Sequence, residues 1–239
     1  MRKPIIGVIL NEQKTLTGNY IRGIYIDVNK VISESGCIAI GISTPQTNSF
    51  YNLDINSTPA ITDAEFSDMK LLIDMCDGII CQGGDEYFDC DLKVIDYCYQ
   101  QDIPLLGICL GMQTMSCLFN GEMVDIGRDN HKQNKDYVHE VYIDPKSLLF
   151  KILNESSILV NSYHKSHVIK TDLDISAFSD DGIIEAVEDK NKRFFLGTQW
   201  HPEKMVDYDE NAKIILDYFF NICKEKTGKS AKTFDKFRQ

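Results

Sequence analysis

The chemistry in this 239-residue chain starts at Cys109, a cysteine with a glycine two residues away on each side. It stands in PLLGICLGMQ, Pro104 to Gln113. The apolar run predicts a strand. The Gly-x-Cys-x-Gly turn predicts a sharp strand-to-helix elbow that pushes the side chain out at the carboxyl edge of a sheet, where ligands bind in open α/β folds. A helix beginning there aims free N–H groups at the sulfur and favours the thiolate, which is the nucleophilic form. Gln113 lies four residues on, one helical turn away, and can face the same cleft.

Two further segments supply what a thiol nucleophile needs. In GTQWHPEK, Gly197 to Lys204, a strand runs into His201-Pro202-Glu203. In extended chain, residues two apart share a side, and Pro202 disfavours helix at His201. Glu203 can then accept a hydrogen bond from one imidazole nitrogen while the other faces the thiol, the logic of nucleophile, base and orienter. In CDGIICQGGDE, Cys76 to Glu86, a buried strand ends in Gly83-Gly84, whose backbone can approach an oxyanion closely. All three segments sit at predicted strand ends, as an acyl-transfer site requires.

The elements that must position these residues alternate. Strands are predicted over Pro4–Leu10, Cys37–Ile42, Asp77–Cys81 and Pro104–Ile108. Helices are predicted over Asn19–Ser33, Ala64–Met75 (capped by Asp63), Cys90–Gln100 and Leu110–Phe119, with Gly36 past the first helix end. This alternation means a parallel sheet with helices on both faces. The second half is richer in strands: His139–Ile143, Ile158–Asn161, Ile175–Phe178, Ile183–Val187 and Phe194–Trp200, closed by a helix over Tyr208–Lys224. Ser43–Thr62 and Asn120–Tyr137 read as long polar loops and are expected to wall the pocket. One domain is expected over residues 1–223, followed by a basic, weakly patterned tail over 224–239 that reads as a frayed or disordered end, the alternative being a docking segment.

Composition narrows the partners. A net charge of −11 repels phosphate backbones and acidic membranes, so nucleic-acid and membrane partners are not expected. No apolar run is long enough to span a bilayer, and MRKPIIGVIL runs into Asn11-Glu12-Gln13-Lys14 with no cleavage site, so it reads as a buried strand of a cytoplasmic protein. The other seven cysteines, Cys37, Cys76, Cys81, Cys90, Cys98, Cys117 and Cys223, are scattered and read as reduced core residues. No His/Cys run has zinc spacing, so no metal is expected.

GICLGMQ, the preceding QGG and the late QWHPE resemble the class I glutamine amidotransferase superfamily, in that family's order, over about residues 4 to 222. KPIIGV, LVNSYHKSHV (Leu159 to Val168) and FSDDGIIEAVE (Phe178 to Glu188) are most similar to its γ-glutamyl-γ-aminobutyrate hydrolase branch, the C26 peptidases. The resemblance implies a flavodoxin-like three-layer sandwich with a mostly parallel central sheet. It implies Cys109 as nucleophile, His201 as general base and acid, and Glu203 as its orienter. Backbone amides of Gly84 and Leu110 would form the oxyanion hole. Gln113, Ser162, Tyr163 and His164 would hold the glutamyl head of a small-molecule γ-glutamyl amide, with no cofactor. Two departures bear on the amine released: GGDEYFDCD passes almost directly into a helix, and Leu110 stands where many members carry a basic residue. One alternative is a glutaminase subunit supplying ammonia to a separate synthase partner. Another is a non-catalytic binding module on the same fold, against which the three filled triad positions weigh. The sequence is compatible with a homo-oligomer and does not name the amine.

Overall fold

Buried strands with apolar residues at successive positions need cover on both faces, and this chain provides it. The computed structural model describes residues 2–225 apart from 52, 54 and 127–130. Nine strands form the central sheet: β1 (Ile5–Ile9), β2 (Ile38–Ile42), β3 (Gly78–Cys81), β4 (Leu105–Ile108), β5 (His139–Ile143), β6 (Ser157–Val160), β7 (Asp174–Ser179), β8 (Ile184–Glu188) and β9 (Phe195–Thr198). Their order is β6-β5-β7-β8-β9-β4-β3-β1-β2. From β9 to β2 the strands are parallel. From β9 outward to β6 each pairing is antiparallel.

Among the described residues six α-helices cover the sheet: α1 (Ile26–Glu34), α2 (Asp63–Asp74), α3 (Asp89–Gln100), α4 (Leu110–Leu118), α5 (Leu148–Leu153) and α6 (Glu210–Glu225). Neighbouring strand residues go to different cores. Ile80, Leu106 and Leu196 join the side chains of α1, α5 and α6. Ile79, Leu105 and Phe195 join those of α2, α3 and α4. The result is the flavodoxin-like three-layer arrangement expected from the sequence.

Several local expectations need correcting. The stretch predicted as one helix from Asn19 is first a strand, Tyr20–Gly23, paired with Asn11–Lys14, and the helix starts at Ile26. The turn between the two strands carries Gly18 at φ 85°, and Arg22 bridges Glu12 across the hairpin at 3.1 Å. The cap of α2 is Thr62, in a reciprocal capping box with Glu65, one residue before the expected Asp63. The polar segment after α4 contains two short strands: Glu122–Asp125 pairs with Ser166–Lys170, and Lys132–Gln133 pairs with Ser162–Tyr163. Helix α5 lies in a stretch where the sequence pattern predicts no element. Of the basic tail, residues 226–239 lie outside the described residues. Among the described residues no helix is long and apolar enough to cross a membrane, and all eight cysteines are free.

Helix α4 rests on the sheet through backbone. A Cβ at Gly111 would stand 2.0 Å from the Cys81 carbonyl oxygen, and one at Gly107 would meet the Gly111 carbonyl carbon at 2.8 Å. Neither carbonyl is a flexible tip that can swing away. Gly111→Ala should therefore destabilise the protein by ~1–3 kcal/mol or more in urea unfolding. Gly23→Ala, where an added Cβ meets nothing within 4 Å, should stay within about 0.5 kcal/mol of wild type.

Candidate active site

Four parallel strands, β9, β4, β3 and β1, stand side by side, and their carboxyl ends deliver Gln199 to Glu203, Cys109, Gln82 to Gly84 and Asn11 to one edge. At the end of β4, Cys109 has φ 52° and ψ −102°, outside the conformations a non-glycine residue normally adopts. Its N–H continues the ladder to the Thr198 carbonyl at 2.7 Å, and its own carbonyl accepts from Gln113 N at 3.1 Å to start α4. The sulfur is left at the helix N-terminus, mostly buried, and accepts from Gln199 Nε2 at 3.4 Å.

His201 is held from three directions. Its N–H donates to Asn161 Oδ1 at 2.8 Å, and its carbonyl accepts from Asn161 Nδ2 at 2.9 Å. Its ring Nδ1 lies 2.7 Å from Glu203 Oε1, with Pro202 opening the short helical turn between them. Burial alone would lower the His201 pKa. The Glu203 carboxylate and the Cys109 thiolate, each also hydrogen-bonded to the ring, outweigh it and raise the pKa to about 10. Their net effect favours the protonated imidazolium of His201 beside the Cys109 sulfur. Gly83 packs against both partners: a Cβ there would come within 2.7 Å of His201 Cε1 and 3.6 Å of Cys109 Cβ.

The two residues expected to supply the oxyanion hole pack against one another. A Cβ at Gly84 would stand 3.0 Å from Leu110 Cδ2, and Leu110 opens α4, so its N–H has no partner within the helix. Asn11 Nδ2 donates to the Gly83 carbonyl. In a trans peptide this turns the Gly84 N–H to the opposite side. Gln82 braces the same region, donating to the Ile9 and Gly23 carbonyls and accepting from Tyr25 N.

Cys109, His201, Glu203, Gly83, Gly84, Tyr25, Asp85, Tyr163 and Lys204 line a cavity of about 200 Å³. Tyr163 meets the His201 ring edge to face, with centroids 5.4 Å apart, and Lys204 Nζ lies 4.7 Å from the Tyr163 ring centroid. A second cavity of about 380 Å³ shares Tyr25, Gly84 and Asp85 with the first and extends along Asn11–Lys14 to Tyr51, Glu86 and Phe88. The expected walls are therefore replaced. The hairpin and the 82–88 segment form them, Tyr51 alone comes from the 43–62 loop, and no described residue of 120–137 takes part.

Of the four residues expected to hold the substrate head, only Tyr163 reaches the cavity. Gln113 is buried and gives its amide N–H groups to the Ser166 carbonyl at 2.9 Å and to Gln199 Oε1 at 3.0 Å. Ser162 is buried and donates to the His131 carbonyl. His164 turns inward, with Nδ1 donating to the Ser166 carbonyl at 3.1 Å, and burial lowers its pKa to about 4. Alternation explains the split: on the strand Ser162–Tyr163, one side chain faces the cavity and its neighbours do not. The residues missed by sequence reasoning are Asn11, Asp85, Asn161, Gln199 and Lys204. All but Asn11 lie inside segments singled out by the sequence: Asp85 in CDGIICQGGDE, Asn161 in LVNSYHKSHV, and Gln199 and Lys204 in GTQWHPEK.

A model of the peptidase C26 family matches residues 88–203. A protein of Schizosaccharomyces pombe whose name places it among the glutamine amidotransferases is 33% identical over 55% of this chain and 55% of its own length. A glutamine amidotransferase-like protein of Rickettsia prowazekii is 27% identical over 62% of this chain and 78% of its own. The glutamine-hydrolysing GMP synthase of Francisella philomiragia is 33% identical over 62% of this chain. The chain spans little more than half of the Schizosaccharomyces protein and 28% of the synthase. Among solved structures, a GMP synthase subunit of Thermoplasma acidophilum superposes with a TM-score of 0.64 at 20% identity, over 95% of this chain and 98% of that one. At that identity the likeness concerns the fold.

The raised pKa of His201 has a signed consequence. A group whose folded pKa lies above its unfolded value of about 6.5 adds stability that is complete below that value and is lost as pH rises. His201 should thus lose its contribution as pH climbs toward about 10. The stability difference between wild type and His201→Gln, measured by urea unfolding, should be larger at about pH 6 than at about pH 10.

Proposed function

We propose that the chain, which is similar to the peptidase C26 family over residues 88–203 and to glutamine amidotransferases over part of their length, belongs to the class I glutamine amidotransferase-like superfamily and is a self-sufficient C–N hydrolase that cleaves γ-glutamyl amides through a Cys109 thioester. The observation that carries this reading is one cavity lined by the strained Cys109, the His201–Glu203 pair and Gly84. The Cys109 thiolate attacks the γ-carbonyl, and the Gly84 and Leu110 N–H groups take the oxyanion. His201 gives its proton to the leaving amine. It then takes one from water, which hydrolyses the thioester and releases glutamate. Glu203 orients and charges the imidazole throughout.

Charge supports a glutamyl head in the small cavity. A γ-glutamyl group presents one carboxylate and one ammonium, and apart from the His201–Glu203 pair the cavity is lined by one cation, Lys204, and one anion, Asp85. Lys204 takes over the carboxylate contact expected from the sequence for Gln113, Ser162 and His164. The adjoining cavity of about 380 Å³ supports a leaving group larger than ammonia. Asn11 supports autonomy, because the bond that orients the Gly83–Gly84 peptide is made within this chain.

The purified chain alone should hydrolyse at least one substituted γ-glutamyl amide with higher kcat/KM than glutamine, read as released glutamate. Cys109→Ala should abolish turnover and stay folded. Lys204→Met should raise KM much more than it lowers kcat, whereas Asn11→Ala should lower kcat by about 10-fold or more with little change in KM. A preference for glutamine, with activity only when a synthase is added, would replace this reading with that of an ammonia supplier to a synthase.

A further inference from the structure

Behind the wall that carries Tyr163 lies a second convergence of reactive groups. His131, His139, His164 and Glu185 each direct one donor atom into a common point, and these four atoms all lie within 4.8 Å of one another. His131 Nδ1, His139 Nε2 and His164 Nε2 stand 3.6, 3.5 and 3.7 Å from Glu185 Oε1. Glu185 is fully buried, and His131 and His164 are nearly so. Among the described residues, both Glu185 oxygens and all three facing nitrogens lack a hydrogen-bond partner. Orphaned polar atoms at this density are costly, because each has lost water and gained nothing.

The other nitrogen of each ring explains the problem. His131 Nε2 lies 3.1 Å from Asp181 Oδ2, His139 Nδ1 lies 3.3 Å from the Glu140 carbonyl, and His164 Nδ1 lies 3.1 Å from the Ser166 carbonyl. All three partners are acceptors, so those nitrogens carry the protons. In the neutral rings the facing nitrogens therefore present lone pairs. Three lone pairs and a carboxylate are all acceptors and cannot satisfy one another; a cation among them can. Outer hydrogen bonds that fix the tautomer, one of them to a carboxylate, are also how metal-binding histidines are held.

We propose that His131, His139, His164 and Glu185 bind a divalent transition-metal ion, with Zn²⁺ the best fit. Three imidazoles and one carboxylate form a closed four-ligand set of the type zinc takes in tetrahedral sites. Bonds of about 2.0–2.1 Å at tetrahedral angles set neighbouring donors ~3.3–3.4 Å apart, close to the spacing around Glu185 Oε1 and longer than a normal hydrogen bond. The ligands come from a loop, β5, the turn after Ser162–Tyr163, and β8, so the ion ties four segments distant in sequence. Ser162 already bonds the His131 carbonyl, and His164 is a ligand. Tyr163, between them, would be pinned against His201. The ion has no open position and is structural; no step of the hydrolysis passes through it.

The test uses the full chain, expressed with Zn²⁺ in the medium and purified without chelator. Elemental analysis should find about one zinc per chain in wild type and in Cys109→Ala, and a loss of most of it in His139→Ala and Glu185→Ala. Stripping wild type with a chelator should lower Tm, and adding Zn²⁺ back should restore it, a readout that does not need the variants to fold. Co²⁺ added to the stripped protein should give the visible absorption of a tetrahedral site, and Cys109→Ala should keep it. The proposal is overturned if stripped wild type binds neither ion and its Tm does not move. It is equally overturned if the bound metal disappears in Cys109→Ala, which would put the ion on the thiol.

Discussion

The backbone at Cys109 is the constraint on which the rest of the site depends. A non-glycine residue at φ 52° and ψ −102° costs of order 1–3 kcal/mol and persists only where the surroundings over-determine it. Here they do so on every side. The N–H is tied to β9, the carbonyl starts α4, and α4 is seated so closely on β3 that Gly111 has no room for a methyl group. A flatter, unstrained turn would swing the sulfur off the helix N-terminus and away from Gln199. Strain at the elbow and glycines beneath it are therefore one feature: the glycines let the helix sit low enough to hold the strained residue in place.

Electrostatics follow from that placement. A buried imidazole would ordinarily be neutral, and His164 is driven that way. His201 is also buried yet pushed in the opposite direction, because it has a carboxylate at 2.7 Å and the Cys109 sulfur as a second partner. Asn161 makes this possible mechanically. By bonding both the N–H and the carbonyl of His201, it fixes the backbone and leaves the ring few ways to leave Glu203.

What is legible in the chain is what neighbours in sequence decide. The Cys109 elbow depends on glycines two residues away, and His201–Glu203 on a proline between them. The parallel sheet depends on periods within single segments. These local patterns read correctly except at Pro202–Lys204, where a short 3-10 turn, opened by Pro202 with its fixed φ, replaces the extended chain expected and still brings Glu203 to His201. The hairpin at Asn11–Gly23 does not read correctly, because Ile21, Ile24 and Tyr25 fall at helical spacing while Gly18, Gln82 and the Glu12–Arg22 pair decide otherwise from outside the window. Asn11 and Asn161 are illegible for a stronger reason. Each acts on a partner from 40 to 72 residues away, brought close only by the order of strands in the sheet. The four-residue histidine and glutamate cluster is the extreme case, since no two of its members lie close enough in sequence to form a recognisable spacing.

The same strand order places that cluster and the thiol on two sides of one polar seam. Gln199, which donates to the Cys109 sulfur, bonds its own N–H to the Glu185 carbonyl at 2.7 Å. Its side-chain oxygen accepts from Gln113, whose other N–H shares the Ser166 carbonyl with His164. The side chains of Cys109, Gln113, His164 and Gln199 are all buried, and each bond fixes the orientation of the next, so the amide of Gln199 has little freedom to turn its N–H away from the sulfur. A residue expected to hold substrate, Gln113, is thereby committed to holding the group that touches the Cys109 sulfur. Moving His164 would shift the carbonyl it shares with Gln113, and through two amides the donor at the sulfur. Geometry alone thus makes the packing behind Tyr163 part of the support of Cys109, whatever occupies it.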